Sequence, residues 1–73
     1  MKLAFVKENK KVIIKNILGG MKIKQRLEEI GLVPGRTVTV LKSGAGPVLL
    51  KIENSKIAIG FGEAMKIEVE NLL

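Results

Sequence analysis

The stretch MKIKQRLEEIGLVPGRTVTV, residues 21–40, contains the change of period that decides the fold. In its first half Ile23, Leu27 and Ile30 fall at i, i+4 and i+7, one apolar stripe along a helix, while Lys22, Gln25 and Glu29 face away. Gly31 suits the left-handed position just past a helix end, and Pro34 prevents continuation. Beyond Pro34-Gly35 the period drops to two. Val38 and Val40 point one way, Thr37 and Thr39 the other. The spacing therefore predicts a helix from Met21 to Ile30, followed after one turn by a half-buried strand.

Working outward, Val12-Ile13-Ile14 between Lys10-Lys11 and Lys15 is a β-branched strand, ended by Gly19-Gly20. Downstream, Ser43-Gly44-Ala45-Gly46-Pro47 is a loop by composition. Val48, Leu50 and Ile52 then alternate with Leu49, Lys51 and Glu53. Asn54-Ser55 stands where a two-residue hairpin turn belongs, and Ile57 and Ile59 form the returning strand. Residues Gly60 to Met65 read as a bend with one helical turn, before Ile67 and Val69 point inward and Glu68 and Glu70 outward. The expected fold is mainly β: a closed or nearly closed barrel of about five strands, with one α-helix inserted after the first strand and a short helical turn before the last. It occupies residues 1–73 as a single domain. The expected core is Val12, Ile14, Leu27, Ile30, Val38, Val40, Val48, Leu50, Ile52, Ile57, Ile59, Ile67 and Val69.

With neither Cys nor His, the chain has no disulfide or conventional structural metal to staple it, so stability must come from aliphatic packing. The absence of Cys fits a reducing compartment. The run Leu3-Ala4-Phe5-Val6 is too short for a signal or spanning segment, so a soluble protein without membrane insertion is expected. The net charge of +6 is uneven. Residues 1–26 hold seven Lys, Arg26 and only Glu8, whereas residues 27–73 hold five basic and six acidic side chains. Such an asymmetry suits either an anionic partner or simple solvation of an apolar domain.

Catalysis has little to work with. There is no His, Cys, Asp or Tyr, and the hydroxyls Thr37, Thr39, Ser43 and Ser55 lie on strand faces or in turns. Glu28 and Glu29 are adjacent on the helix and diverge. Gly44-Ala45-Gly46 and Gly60-Phe61-Gly62 continue into neither a dinucleotide fingerprint nor a P-loop. An enzyme is not expected. For a metal the weak candidates are Glu63, Glu68 and Glu70, a loose oxygen set against which a solvated acidic face is the plainer reading. No resident cofactor is expected, and the donor set gives Fe(II) little support.

Arg26-Leu27, Gly31-Leu32 with Pro34-Gly35, Val38 and Val40, Gly46-Pro47, Ile57-Ala58-Ile59, Ala64, and Ile67 with Val69 run in order over about fifty residues. In this pattern and in its length the chain resembles the ferrous iron transport protein A (FeoA) family, and the FeoA-like domain that ends some iron-dependent repressors. The resemblance implies an SH3-like barrel acting in the cytoplasm with FeoB, a membrane-embedded Fe(II) transporter with a GTP-binding domain. It implies docking on FeoB's cytoplasmic part to support or regulate uptake. The chain departs from the pattern after Ile59, where Gly60-Phe61-Gly62 replaces a commonly basic residue.

The expected docking residues are Lys22, Lys24, Arg26 and Phe61, with Lys10, Lys11 and Lys15 adding charge. Arg26 follows Lys22 by four residues, a mildly repulsive pair, so a nearby carbonyl or a partner must hold it. Phe61 fits either a core plug or an exposed anchor. The chain is expected to be a monomer. Two other readings are a transition-metal-sensing or metal-binding module and a basic nucleic-acid-binding barrel. Only two aromatic residues, and eleven Lys to two Arg, argue against nucleic acid.

Overall fold

A computed structural model describes residues 1–72. Its five strands are β1 (Lys11–Ile17), β2 (Thr37–Lys42), β3 (Val48–Ile52), β4 (Ser55–Ile59) and β5 (Ile67–Asn71). Helix α1 (Met21–Glu29) follows β1, and the short α2 (Phe61–Ala64) precedes β5. A 3-10 turn at Leu3–Phe5, not foreseen from the sequence, opens the chain. All strand pairs are antiparallel, in the order β4-β3-β2-β1-β5. Bulges at Lys15 and Leu41 interrupt the ladders, and such insertions increase the local coil of a sheet. The sheet wraps a core in which, among the described residues, no polar side chain is buried. The mainly β fold is the one expected.

The hinge of the fold is the end of α1. The Gly31 N–H donates to the Glu28 carbonyl at 3.0 Å and the Leu32 N–H to the Leu27 carbonyl at 2.8 Å. Gly31 takes φ +94°, so this is a Schellman ending with its characteristic apolar contact, Leu32 over Leu27, both fully buried. This corrects one core expectation. The helix stops at Glu29, Ile30 is left 39% exposed, and Leu32 folds back into the place the periodic stripe assigned to Ile30. A turn follows at once. The Arg36 N–H reaches the Val33 carbonyl at 3.1 Å, with Pro34 second and Gly35 (φ +92°) third, the signature of a type II turn. It docks on β1 through Gly35 N–H to Ile14 C=O at 2.7 Å and Ile14 N–H to Arg36 C=O at 2.9 Å.

Two further expectations are corrected. The hairpin turn is Glu53-Asn54 rather than Asn54-Ser55, because β4 begins at Ser55 opposite Ile52. Glu53, the first residue of the turn, takes a positive φ of +54°. This register pairs all five residues of β3 with all five of β4 and sets Val48 opposite Ile59 and Leu50 opposite Ile57. Ile57 is only half-buried, as suits an inward residue on the outermost strand. The core also recruits Leu3, Ala4, Val6, Ile17, Leu32 and Ala64. The other end of the sheet is partly covered. Lys2 bridges to Glu68, and the Val69 N–H donates to the Met1 carbonyl at 2.8 Å.

Leu32→Ala is expected to cost about 2–5 kcal/mol, whereas Ile30→Ala should cost under about 1 kcal/mol. Urea unfolding of both variants checks this, and equal losses would return Ile30 to the core. Gly19 (φ +111°) is a second sensitive point, since a Cβ there would lie 2.8 Å from Ile23 Cγ2. Gly19→Ala should therefore lower the urea midpoint further than Gly35→Ala, where only the backbone conformation resists.

Candidate functional site

Helix α1 presents the basic residues singled out above, but divides them. Lys22 and Arg26 line one shallow concavity with Gln25, Glu28 and Glu29. Lys24 instead lies on the other side, lining a cleft of about 170 Å³ with Asn16, Ile17, Glu28, Leu32, Val33 and Pro34. Both hollows mix charges, because Glu28 borders each of them. The face is not a uniformly positive patch. Lys10 is exposed, and Lys15 faces Glu70.

Arg26 has a definite structural partner, which is a carboxylate rather than a carbonyl. Its Nε lies 3.1 Å from Glu63 Oε2, while Glu63 Oε1 accepts the Gly60 N–H at 3.1 Å. Glu63 thus closes the first turn of α2 with one oxygen and ties α2 to α1 with the other. The acceptance from the Gly60 backbone is half of a capping box, and glycine has no side chain to supply the other half. Sequence spacing could not place this pair, which joins residues on two separate helices.

Phe61 is half-buried and packs on the core, and its ring meets that of Phe5 edge-on, with centroids 6.2 Å apart and planes at 73°. Of the two rings, Phe5 is the outer one, 63% exposed beside Met1. The sequence offered no signal for this role, since a three-residue 3-10 turn is too short to show a period. The metal candidates are separated by their partners. Glu63 is engaged as described, Glu68 Oε2 faces Lys2 Nζ at 3.7 Å, and Glu70 Oε1 faces Lys15 Nζ at 3.8 Å. Among the described residues no three Asp, Glu, His or Cys side chains gather closely enough to hold a metal ion. Nor, among the described residues, is any helix long and apolar enough to cross a membrane.

The chain has close relatives. The FeoA domain family model matches residues 1–71. A protein of Methanocaldococcus jannaschii named "Putative Fe(2+) transport protein A" is 45% identical over 69 residues, which is 94% of this chain and 84% of that one. A crystal structure of an iron uptake regulatory protein (FeoA) superposes with a TM-score of 0.93 at 37% identity, covering 99% of this chain and 97% of the other. A FeoA of Stenotrophomonas maltophilia, solved with zinc and described as an SH3 domain protein, shares the fold. Its TM-score is 0.81 at 22% identity, covering 96% of this chain and 89% of that one.

Exposed ion pairs are worth about 0.2–1 kcal/mol, and the half-sheltered Glu63 carboxylate puts this one toward the upper end. A double-mutant cycle with Arg26→Ala and Glu63→Gln should return a coupling of that order that shrinks with added salt. A coupling indistinguishable from zero at low salt would show that the pair does not hold the two helices.

Proposed function

This chain belongs to the FeoA domain family of ferrous iron transport proteins, with an SH3-like fold, and on that premise we propose that it is a non-catalytic accessory of Fe(II) uptake that docks on the cytoplasmic part of an FeoB-like transporter. The observation that carries this reading is the family match across nearly the whole chain. The chemistry supports it. The sequence has no His, Cys, Asp or Tyr, and the cleft beside Lys24 offers one lysine and one glutamate without a nucleophile–base pair. A small barrel with a rigid aliphatic core and a charged exterior is suited to presenting a surface.

In the proposed complex acidic groups of the transporter's cytoplasmic part flank α1, meeting Lys22 and Arg26 on one side and Lys24 on the other, with Phe61 steadying α2 against the core. Lys22 and Lys24 are free of ion pairs among the described residues, so they are the better tests of contact. Arg26 carries a structural duty to Glu63 as well. The metal-binding alternative is the weaker reading, because each candidate carboxylate already faces its own cation.

Binding of this chain to the isolated cytoplasmic domain of an FeoB transporter from the same genome, measured by calorimetry, should be detectable and should weaken with salt. Lys22→Glu with Lys24→Glu should reduce the affinity at least about tenfold, chiefly through slower association. Full binding by the double variant would move the docking surface elsewhere, and no binding by either protein would remove the reading.

A further inference from the structure

The register of the strands assembles a second basic surface, built on the sheet rather than on α1. Lys11 stands opposite Thr39, Thr39 opposite Lys51, and Lys51 opposite Lys56, so one row crosses four strands and carries three lysines. Directly opposed residues in such a row have Cβ atoms about 4.5–5.5 Å apart, and opposed like charges repel. A hairpin turning at Asn54-Ser55 would instead have set Glu53 opposite Lys56. In the observed register Glu53 is not opposed to Lys56 but pairs with Arg36, Nη1 to Oε1 at 3.2 Å, while it still borders the hollow lined by Lys11, Thr39 and Lys51. In the next row Lys42 lies opposite Leu49 and Leu49 opposite Ala58, adding a fourth lysine to the same face. None of Lys11, Lys42, Lys51 and Lys56 forms an ion pair among the described residues.

The same register leaves backbone unpaired. A two-residue turn makes Ile52 and Ser55 a hydrogen-bonded pair, and such pairs alternate along an antiparallel ladder. Lys56 and Ala58 therefore sit in non-hydrogen-bonded positions opposite Lys51 and Leu49, with their N–H and C=O groups aimed away from β3. β4 ends the sheet, both residues are exposed, and no other backbone among the described residues bonds to them. Beside this edge a shallow trough is lined by Lys42, Pro47, Leu49 and Ala58. The other end of the sheet, at β5, has Met1 and Lys2 laid along it.

We propose that the open edge of β4 and the lysine row Lys11-Lys51-Lys56 receive an extended acidic polypeptide segment, added to the sheet as a sixth strand. Main-chain bonds to Lys56 and Ala58 supply the pairing, alternate carboxylates meet the lysines, and an apolar side chain fits the trough over Leu49 and Ala58. A second copy of this chain is a poor occupant, since it would set another lysine row beside the first. Single-stranded nucleic acid would find no stacking ring here, because Phe5 and Phe61 pack together at α2. A lipid surface would find little to take in: of the large exposed apolar residues only Leu72, whose N–H bonds the Lys11 carbonyl at 3.2 Å, adjoins the row, and Met1, Phe5, Leu18, Met21 and Ile30 lie off these strands.

The test is titration of the isotope-labelled chain with a short capped peptide alternating Glu and Val, followed by NMR and amide exchange. Shifts should concentrate on Lys51 and residues 55–59, and the Lys56 and Ala58 amides should exchange more slowly. The counterpart peptide with Lys for Glu should not bind. Lys51→Glu with Lys56→Glu should weaken the peptide at least about tenfold. Ala58→Pro, which removes an outward donor but no ladder bond, should abolish edge pairing with little change in melting temperature. If that variant does not fold, the lysine variants and the exchange data decide. Absence of shifts, shifts centred on Lys22 and Lys24, or equal binding of both peptides would overturn the proposal. So would engagement of the row by oligothymidylate, or by phosphatidylcholine–phosphatidylglycerol vesicles, without engagement by the acidic peptide. The proposal is separate from docking through α1. A chain that binds the peptide but no transporter domain would sink only that earlier reading, and the reverse result would sink only this one.

Discussion

The Leu32 amide reaching back to the Leu27 carbonyl is the contact on which the remaining structure depends. It ends α1 at a defined residue, seats Leu32 in the core, and reverses the chain so that Pro34-Gly35 arrives against β1. The bonds between that turn and Ile14 then hold the start of β2 in register with the strand it must pair with. A helix cannot normally specify where the next strand begins. Here the left-handed glycine and the proline turn leave only Leu32 and Val33 between them, so the handover has little freedom. With no disulfide available and few residues to spare, such local determinism substitutes for a larger core.

What could be read in advance follows from the range of each interaction. The period change at Gly31, the alternation of Val38 and Val40, and the inward set Val48, Leu50 and Ile52 are local patterns, and the structure matches them. Ile30 was misplaced because periodicity extends a helix without regard to how it ends. Alternation cannot tell a turn at Asn54-Ser55 from the observed Glu53-Asn54, because both hairpins keep the same faces of β3 and β4 buried and only their pairing differs. Leu3, Ala4 and Val6 were missed because a 3-10 turn leaves no repeat to detect.

The candidate site was less legible than the fold for a related reason. Charge counted along the chain put the whole excess in the first twenty-six residues. Folding redistributes it. Lys2 and Lys15 are spent on the carboxylates of β5, Arg26 goes to Glu63, and the lysines of β2, β3 and β4 gather beside Lys11. A linear sum of charges reports on solubility and on the sign of a partner, but only the strand register decides which charges remain available.

The pairing of β1 with β5 has a consequence for how the domain forms. Strands β2, β3 and β4 make a meander of sequence neighbours that can assemble from local contacts. β1 and β5 instead bring Ile14 to Val69 and Ile17 to Ile67, and Met1 also meets Val69. The loop-closure entropy of nearly the entire chain is thus met in one late step, after the last strand exists. Folding speed should accordingly be governed by that long-range closure rather than by the helix or the hairpin, whose own formation takes only microseconds. Until it occurs, the β5-facing edge of β1 stays open and Val69 is uncovered, and the nascent chain is at its most aggregation-prone.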